Sequence, residues 1–167
     1  TRATAVSKTV GHVKMANSIH KAVQPSDMIF SCLADDTAVK EMVEAAVGSG
    51  DVTEKLFVDC STIHPDTAGW INEKFRSYRA TYVAYPVFGP PSTADSGQLV
   101  IIFAGAVEDV QRVKAYTVGV ISRADIDLGN TDVGKASIFK LLRNTFIISF
   151  VEAVREGMVL CEKLGIE

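Results

Sequence analysis

The chain has 167 residues, of which 47% are hydrophobic and 22% are charged, and its formal net charge is -3. This length and composition allow one buried globular core, or one domain and the start of another. The acidic balance and the scattered lysines and arginines argue against a phosphate backbone as partner, so we predict no nucleic-acid binding. The longest apolar run, at 146–151, is far shorter than the roughly 20 residues of a membrane helix, so we also predict no membrane association.

The three cysteines, Cys32, Cys60 and Cys161, lie far apart and lack the paired spacing of a zinc site or a disulfide framework. We therefore predict reduced, packed thiols and no metal site. The chain opens on polar residues without a charged-then-apolar targeting pattern, which together with the reduced thiols favours a cytoplasmic location. Because residue 1 is Thr rather than Met, we expect sequence upstream of this chain.

Short apolar runs alternate with amphipathic stretches from Val13 to Leu128, a pattern typical of repeated βα units and a largely parallel sheet. The runs predict four strands, at 28–33, 56–59, 82–87 and 99–103. Between and after the strands, the pattern predicts three helices: one capped by Asp35 or Asp36 and ending at Gly48, one beginning at Pro65, and one from about Val107 to Val118.

From Val133 onward the apolar residues recur at roughly helical spacing, which predicts one long helix. It would be apolar around much of its circumference. Such a helix is expected to lie buried between domains or in a subunit interface.

A first polar segment, 59–65, stands at the carboxyl end of a predicted strand, where ligands bind in open α/β sheets. The hydroxyls of Ser61 and Thr62, with free N–H groups of the next helix, could hold a carboxylate or an amide. The alternative is that both residues only cap that helix.

A second segment, 85–97, runs from a strand into a turn rich in Pro and Gly. Gly89 would let a ligand or another backbone approach closely. Taken alone, the segment favours a purely structural turn.

The third segment, 134–144, places Lys140 and Asn144 four residues apart, on one face of the long helix. Burial of Lys140 in this apolar stretch would make its proton easier to lose or to donate. The alternative is a lysine whose amine reaches solvent from an amphipathic helix.

In their order and spacing, these segments resemble the motifs of the β-hydroxyacid dehydrogenases, a family that includes 3-hydroxyisobutyrate dehydrogenase, glyoxylate and succinic semialdehyde reductases, and the NADP-binding domain of 6-phosphogluconate dehydrogenase. Residues 59–65 resemble D-x-S-T-x-x-P, and residues 85–97 are similar to A-P-V-S-G-G-x-x-G-A-x-x-G. Gly134, Lys140 and Asn144 stand at three of the four marked positions of G-x-G-x-x-x-K-x-x-x-N.

The resemblance implies roles for these residues. Lys140 is the implied general acid/base and Asn144 positions the substrate, so this pair is the predicted catalytic machinery. Ser61 and Gly89 are the implied substrate-binding residues.

The resemblance also implies NADP, or NAD, as the cofactor. Thr62 would contact the nicotinamide side, while Leu33 and Ala34 would lie along the cofactor. Arg2 stands in a turn that resembles N-R-T, whose Arg contacts the 2′-phosphate of NADP.

The implied fold is α/β: a Rossmann-like, doubly wound, mainly parallel sheet that lacks its first strand, followed by the start of a long interdomain helix. That strand and its G-x-G-x-x-G turn would precede Thr1 by about 30 residues. Residues 1–130 are expected to form a partial NAD(P)-binding Rossmann-like domain. Residues 131–167 are expected to form the first helix of a C-terminal helical dimerisation and substrate domain.

Phe88 replaces the Ser of the second motif, Pro90 and Thr93 replace two of its glycines, and Ala136 replaces a Gly of the third. These departures bear on the substrate more than on the reaction type. The predicted function is hydride transfer between the nicotinamide and a small hydroxyacid or semialdehyde, in a homodimer or higher homo-oligomer. The alternative is a non-catalytic remnant or scaffold that dimerises through the long apolar helix.

Overall fold

The computed structural model describes residue 10 and residues 13–166, so the predicted cofactor contact Arg2 lies outside the described residues. The helices and strands within that part of the chain are, in order, α1 (Ile19–Val23), β1 (Met28–Ser31), α2 (Asp36–Val47), β2 (Leu56–Asp59), α3 (Pro65–Ser77), β3 (Thr81–Ala84), β4 (Val87–Phe88), α4 (Pro91–Asp95), β5 (Leu99–Phe103), α5 (Val107–Thr117), β6 (Ser122–Asp127) and α6 (Gly134–Lys163).

Strands β1, β2 and β3 are parallel neighbours in that order, with Met28 opposite Leu56 and Leu56 opposite Thr81. Strand β5 pairs antiparallel with β4 and parallel with β6. Two hydrogen bonds exchanged by Ala84 and Ala104, of 3.0 and 3.2 Å, join β3 to the end of β5. The prediction of a mainly parallel, Rossmann-like sheet is confirmed.

Helices cover both faces of the sheet. On one face, Phe57 of β2 stacks on Phe75 of α3 with ring centroids 3.8 Å apart, and Val43 of α2 packs into the same cluster. On the other face, Val110 and Val113 of α5 pack against the buried residues Leu56, Val58 and Ile101. Because alternate strand residues point to opposite faces, each strand of the interior contributes to both clusters.

The predicted strand at 82–87 is wrong as a single element. It divides into β3 and β4, since Pro86 has no N–H to donate to a ladder and β4 pairs antiparallel with β5 rather than continuing beside β2. Strand β1 also ends two residues earlier than predicted, because the Leu33 N–H donates to the Ser61 side chain instead of to a neighbouring strand.

Strand β6 was not among the four predicted strands. Its charged residues Arg123, Asp125 and Asp127 break the expected alternation of apolar and polar residues. Such a strand is tolerated because, within the described part of the chain, β6 lies at the edge of the sheet with β5 as its one partner strand. The Lys114 amine of α5 lies 2.8 Å from carboxylate oxygens of both aspartates, which ties the strand to the helix above it.

Helix α6 is a single helix of 30 residues, as predicted. The residues of α6 that are buried lie in its first turn, Gly134, Ala136 and Ser137, and a Cβ on Gly134 would lie 3.1 Å from the Pro65 carbonyl oxygen. Further along, Phe146 and Phe150 are 72% and 71% exposed, so burial of this helix stays a prediction. None of the described helices has the length and apolarity needed to cross a membrane.

Candidate active site

The carboxyl ends of β1 and β2 are joined through a serine hydroxyl. The Leu33 N–H donates to the Ser61 Oγ over 2.9 Å, which holds the two strand ends side by side. Leu33, Ala34 and Thr62 are exposed at this edge of the sheet. Three of the four predicted cofactor contacts therefore lie on the exposed loops after two neighbouring strands.

Beneath this edge lies the buried carboxyl group of Asp59. Its Oδ1 accepts hydrogen bonds from Ser61 Oγ (2.6 Å), Ser31 Oγ (2.9 Å) and the Ser61 N–H (3.2 Å). Its Oδ2 has no hydrogen-bond partner among the described residues. Burial raises the pKa of Asp59 above its ordinary value, and the donors on Oδ1 oppose that rise only in part.

Neither Ser61 nor Thr62 caps the following helix, so the alternative role given to them as caps is wrong. The N-cap of α3 is His64, whose Nδ1 accepts from the Asp66 N–H, and Pro65 takes the first helical position as predicted. The Ser61 hydroxyl is already committed to Asp59 and to Leu33, and the Ser61 side chain is buried. Ser61 thus positions the edge of the sheet, and its proposed contact with substrate stays a prediction.

Cys32 and Cys60 follow β1 and β2 at neighbouring positions of the parallel register. Cys32 is exposed, whereas burial strongly raises the pKa of the half-buried Cys60 thiol. All three cysteines are free thiols, but the prediction that they are packed is wrong for Cys32 and Cys161, which are exposed.

Lys140 points inward rather than towards solvent. Its amine donates a 2.6 Å hydrogen bond to the backbone carbonyl oxygen of Val87 in β4, and the side chain is half-buried. Burial lowers the pKa of Lys140, and the nearby positive charge of Arg143 lowers it further. The alternative of a solvated lysine is therefore wrong, since the amine lies against the sheet.

The ring of Phe88 lies beside this amine. The Lys140 Nζ is 4.8 Å from the ring centroid and the Arg143 Cζ is 4.4 Å from it. Phe88 is buried, and its ring also contacts that of Phe139 with centroids 6.3 Å apart. No role for Arg143 was predicted, although its place three residues after Lys140 puts both on one face of α6.

Gly89 is a packing residue as well as a turn residue. Its φ is +134°, and a Cβ built there would lie 2.8 Å from Leu99 Cδ2 and 2.9 Å from Thr93 Cβ. The segment after it forms the short helix α4, where a loop was expected.

Asn144 lies one turn after Lys140 on α6 and is half-buried. The two predicted catalytic residues, Lys140 and Asn144, therefore lie on one face of α6. The predicted substrate-binding residue Gly89 is next in sequence to Phe88, whose ring lies beside the Lys140 amine.

Two neighbouring strand ends with exposed loops, set in a sheet covered on both faces by helices, define a Rossmann-like nucleotide-binding domain. The family model described as the NAD binding domain of 6-phosphogluconate dehydrogenase matches residues 1–119. The chain belongs to this family.

Among its relatives, the NADH-dependent oxidoreductase ucdB of Aspergillus ustus is 37% identical over 166 residues, which are 99% of this chain and 55% of that protein. Glyoxylate/succinic semialdehyde reductase 1 of Arabidopsis thaliana is 29% identical, over 85% of this chain and 51% of that protein. The chain spans about half the length of these curated relatives.

The 3-hydroxyisobutyrate dehydrogenase of Mycobacterium tuberculosis has a similar fold. It superposes with a TM-score of 0.84 at 24% sequence identity, and the match covers 98% of this chain and 55% of that chain. This likeness bears on the fold alone.

Proposed function

We propose that the protein containing this chain is an NAD(P)-dependent oxidoreductase of the β-hydroxyacid dehydrogenase type. It would transfer a hydride between the nicotinamide and the carbonyl or carbinol carbon of a small hydroxyacid or semialdehyde. The observation that carries the proposal is the half-buried Lys140 amine, held against β4 beside a solvent-facing turn.

The residues at the edge of the sheet suit the nicotinamide half of the cofactor. Leu33 and Ala34 offer apolar surface for one face of a flat ring, and the exposed Thr62 hydroxyl can bond a carboxamide. When bound, the cofactor supplies or accepts the hydride. Arg2 is proposed to contact the 2′-phosphate of NADP, and binding of both NADP and NAD is to be measured.

Lys140 is proposed to move the proton on the substrate oxygen. In reduction, its ammonium donates a proton to the oxygen as the carbonyl carbon accepts the hydride; in oxidation, its neutral amine takes that proton back. The lowered pKa favours both steps because it brings the acid and the base form closer in free energy at neutral pH. Asn144, one turn away on the same face, is proposed to hold the substrate oxygen in line with the amine.

Two further assignments belong to the proposal. Residues 1–130 are proposed as the cofactor domain, and 131–167 as the first helix of a helical domain that completes the substrate site. The exposed apolar residues of α6 are proposed to pair with a second copy in a homodimer, since contiguous apolar surface of this kind marks interaction sites.

A binding and a turnover measurement on the full-length protein together test the proposal. NADPH and NADH are titrated by nucleotide fluorescence, and their oxidation is then followed with glyoxylate or succinic semialdehyde. Saturable binding with substrate-dependent oxidation is the expected result. An oligomer that binds neither nucleotide would instead support the second candidate, a non-catalytic scaffold, which the exposed apolar surface of α6 favours.

A further inference from the structure

Two cations lie against one aromatic ring in the candidate active site. Lys140 and Arg143 approach the Phe88 centroid to 4.8 and 4.4 Å, three residues apart on α6. Each contact with the ring is favourable, but the two positive charges repel each other. An anion bound between them would remove that repulsion.

The two cations differ in how they are bound. The Lys140 amine already donates to the Val87 carbonyl oxygen. Among the described residues, Arg143 has no ion pair and no side-chain hydrogen bond. Arg112, on the other face of the sheet, differs in that it pairs with Asp109 at 3.1 Å. A guanidinium that lies over a ring keeps its N–H edge free, and that edge fits a carboxylate with two parallel hydrogen bonds.

The turn after Phe88 has few backbone N–H groups for an anion, so a side chain has to supply the positive charge that binds one. Pro90 and Pro91 have no N–H, so the backbone after Gly89 offers an anion fewer donors than an ordinary turn does. Arg143, whose Cζ lies 4.4 Å from the centroid of the same ring, is exposed and is always charged at neutral pH. It is therefore the cation that is free to bind an anion at this turn.

We propose that Arg143 is a specificity residue that binds the carboxylate of the substrate while Lys140 serves the carbonyl oxygen. The inference rests on the proposed function and adds the residue that would select substrates carrying a carboxylate. Residues three apart on a helix have Cβ atoms about 5–6 Å apart, which suits a carbonyl and a carboxylate separated by few carbons.

The test compares an acid with its neutral ester in the full-length protein. The steady-state constants of Arg143→Gln are measured with succinic semialdehyde and with its methyl ester, at saturating NADPH. We expect the KM for the acid to rise about 10- to 100-fold, in line with the loss of a charge-assisted hydrogen bond. The kcat for the acid and both constants for the ester should stay within a few-fold of wild type.

Two matched variants support the comparison. Arg76→Gln removes an exposed arginine on α3 and should leave all constants unchanged, whereas Arg143→Lys keeps the charge without the fork and should raise the KM for the acid by less than Arg143→Gln does. Equal effects on acid and ester overturn the inference. In a second series with NADPH varied at saturating acid, a rise confined to the KM for NADPH also overturns it, because Arg143 would then be a cofactor contact. Circular dichroism shows whether each variant folds.

A binding measurement separates this inference from the proposed function. Succinate, which cannot be reduced here, is titrated calorimetrically into the NADPH-loaded protein, and its binding should be lost in Arg143→Gln. Wild-type protein that binds succinate through Arg143 without turning over any carbonyl substrate would sink the proposed function alone. Turnover with no dependence on Arg143 in either measurement would sink the inference alone, and the absence of both binding and turnover would sink both.

Discussion

The Nζ atom of Lys140 donates a 2.6 Å hydrogen bond to the carbonyl oxygen of Val87, a residue 53 positions earlier in the chain. The acceptor is a backbone atom of β4, so no side-chain substitution at Val87 removes it. The bond holds the amine against β4, next to the Phe88 ring. The position of the proposed acid/base thus depends on the register between β4 and β5, where Val87 lies opposite Ile101.

The pH dependence of turnover should depend on Arg143. If Lys140 donates a proton in reduction, the rate falls as the pH rises through the pKa of Lys140, which lies below its ordinary value of 10.5. Arg143→Gln removes a positive charge that disfavours the ammonium, so the alkaline limb of kcat should move to higher pH. Profiles measured with the ester substrate would contradict this if the limb stayed in place or moved to lower pH.

Replacing Asp59 with Asn should stabilise the protein at neutral pH. Because burial raises the folded-state pKa above the unfolded one, the carboxyl group favours folding when protonated, and this contribution is lost as the pH rises through the folded-state pKa. Asn keeps an acceptor for the three donors and has no charge to bury. Urea midpoints should therefore be higher for Asp59→Asn than for wild type at pH about 7, with the difference shrinking towards pH about 4.

Asp95→Asn serves as the control for that comparison, because Asp95 is exposed on α4 and should show little change at either pH. A lower midpoint for Asp59→Asn at neutral pH would mean that the donors from Ser31 and Ser61 stabilise a buried carboxylate.

Gly89→Ala should destabilise the fold by about 1–3 kcal/mol, the usual cost of forcing a side chain into a sparsely populated backbone conformation. The added Cβ would also lie within 3 Å of Leu99 and Thr93. The matched variant Gly69→Ala lies inside α3 with no atom within 4 Å of the new Cβ, and it should stabilise by about 0.5–1 kcal/mol. Unfolding in urea measures both, and an unchanged midpoint for Gly89→Ala would show that the turn relaxes freely.

Phe150→Glu should weaken self-association. Phe150 is 71% exposed in the middle of α6, and a carboxylate there would have to be desolvated in any apolar helix–helix interface. Sedimentation velocity should show a shift from dimer to monomer that depends on concentration. Glu152→Gln, an exposed polar change on the same helix, should leave the distribution as it is. A dimer that persists in Phe150→Glu would place the interface elsewhere.

Most of the sheet could be predicted because its interior strands carry their own signal. Leu56, Phe57 and Val58 are apolar on both faces, as a strand between two helical layers must be, and Asp35 and Pro65 mark helix starts by their own chemistry. Strand β6 could not be found in this way. Its aspartates are explained by Lys114, which pairs with both of them. Because Lys114 lies on a helix and the aspartates lie on a strand, the sequence pattern does not show that they pair.

The sequence could predict which residues of the candidate site lie near each other on one helix, but not their contacts with other elements. Lys140 and Asn144 share a helix face, which spacing alone indicates. The acceptor for Lys140 is a backbone carbonyl far away in sequence. Because every residue has such a carbonyl, residue types cannot predict which one accepts the hydrogen bond. Likewise, the commitment of Ser61 to Asp59 and Leu33 depends on which strand lies next to β2, which is a property of the topology rather than of the motif.

The most direct test of the proposed role of Lys140 compares two lysines of α6 in the full-length protein. Lys140→Met removes the proposed acid/base, and Lys135→Met removes an exposed lysine one and a half turns earlier. With glyoxylate or succinic semialdehyde and NADPH, kcat for Lys140→Met should fall by about 100- to 10,000-fold while NADPH still binds, the usual range for loss of general acid–base catalysis. Lys135→Met should keep wild-type turnover. Equal turnover in folded Lys140→Met and wild-type protein would contradict the assignment of Lys140 as the acid/base.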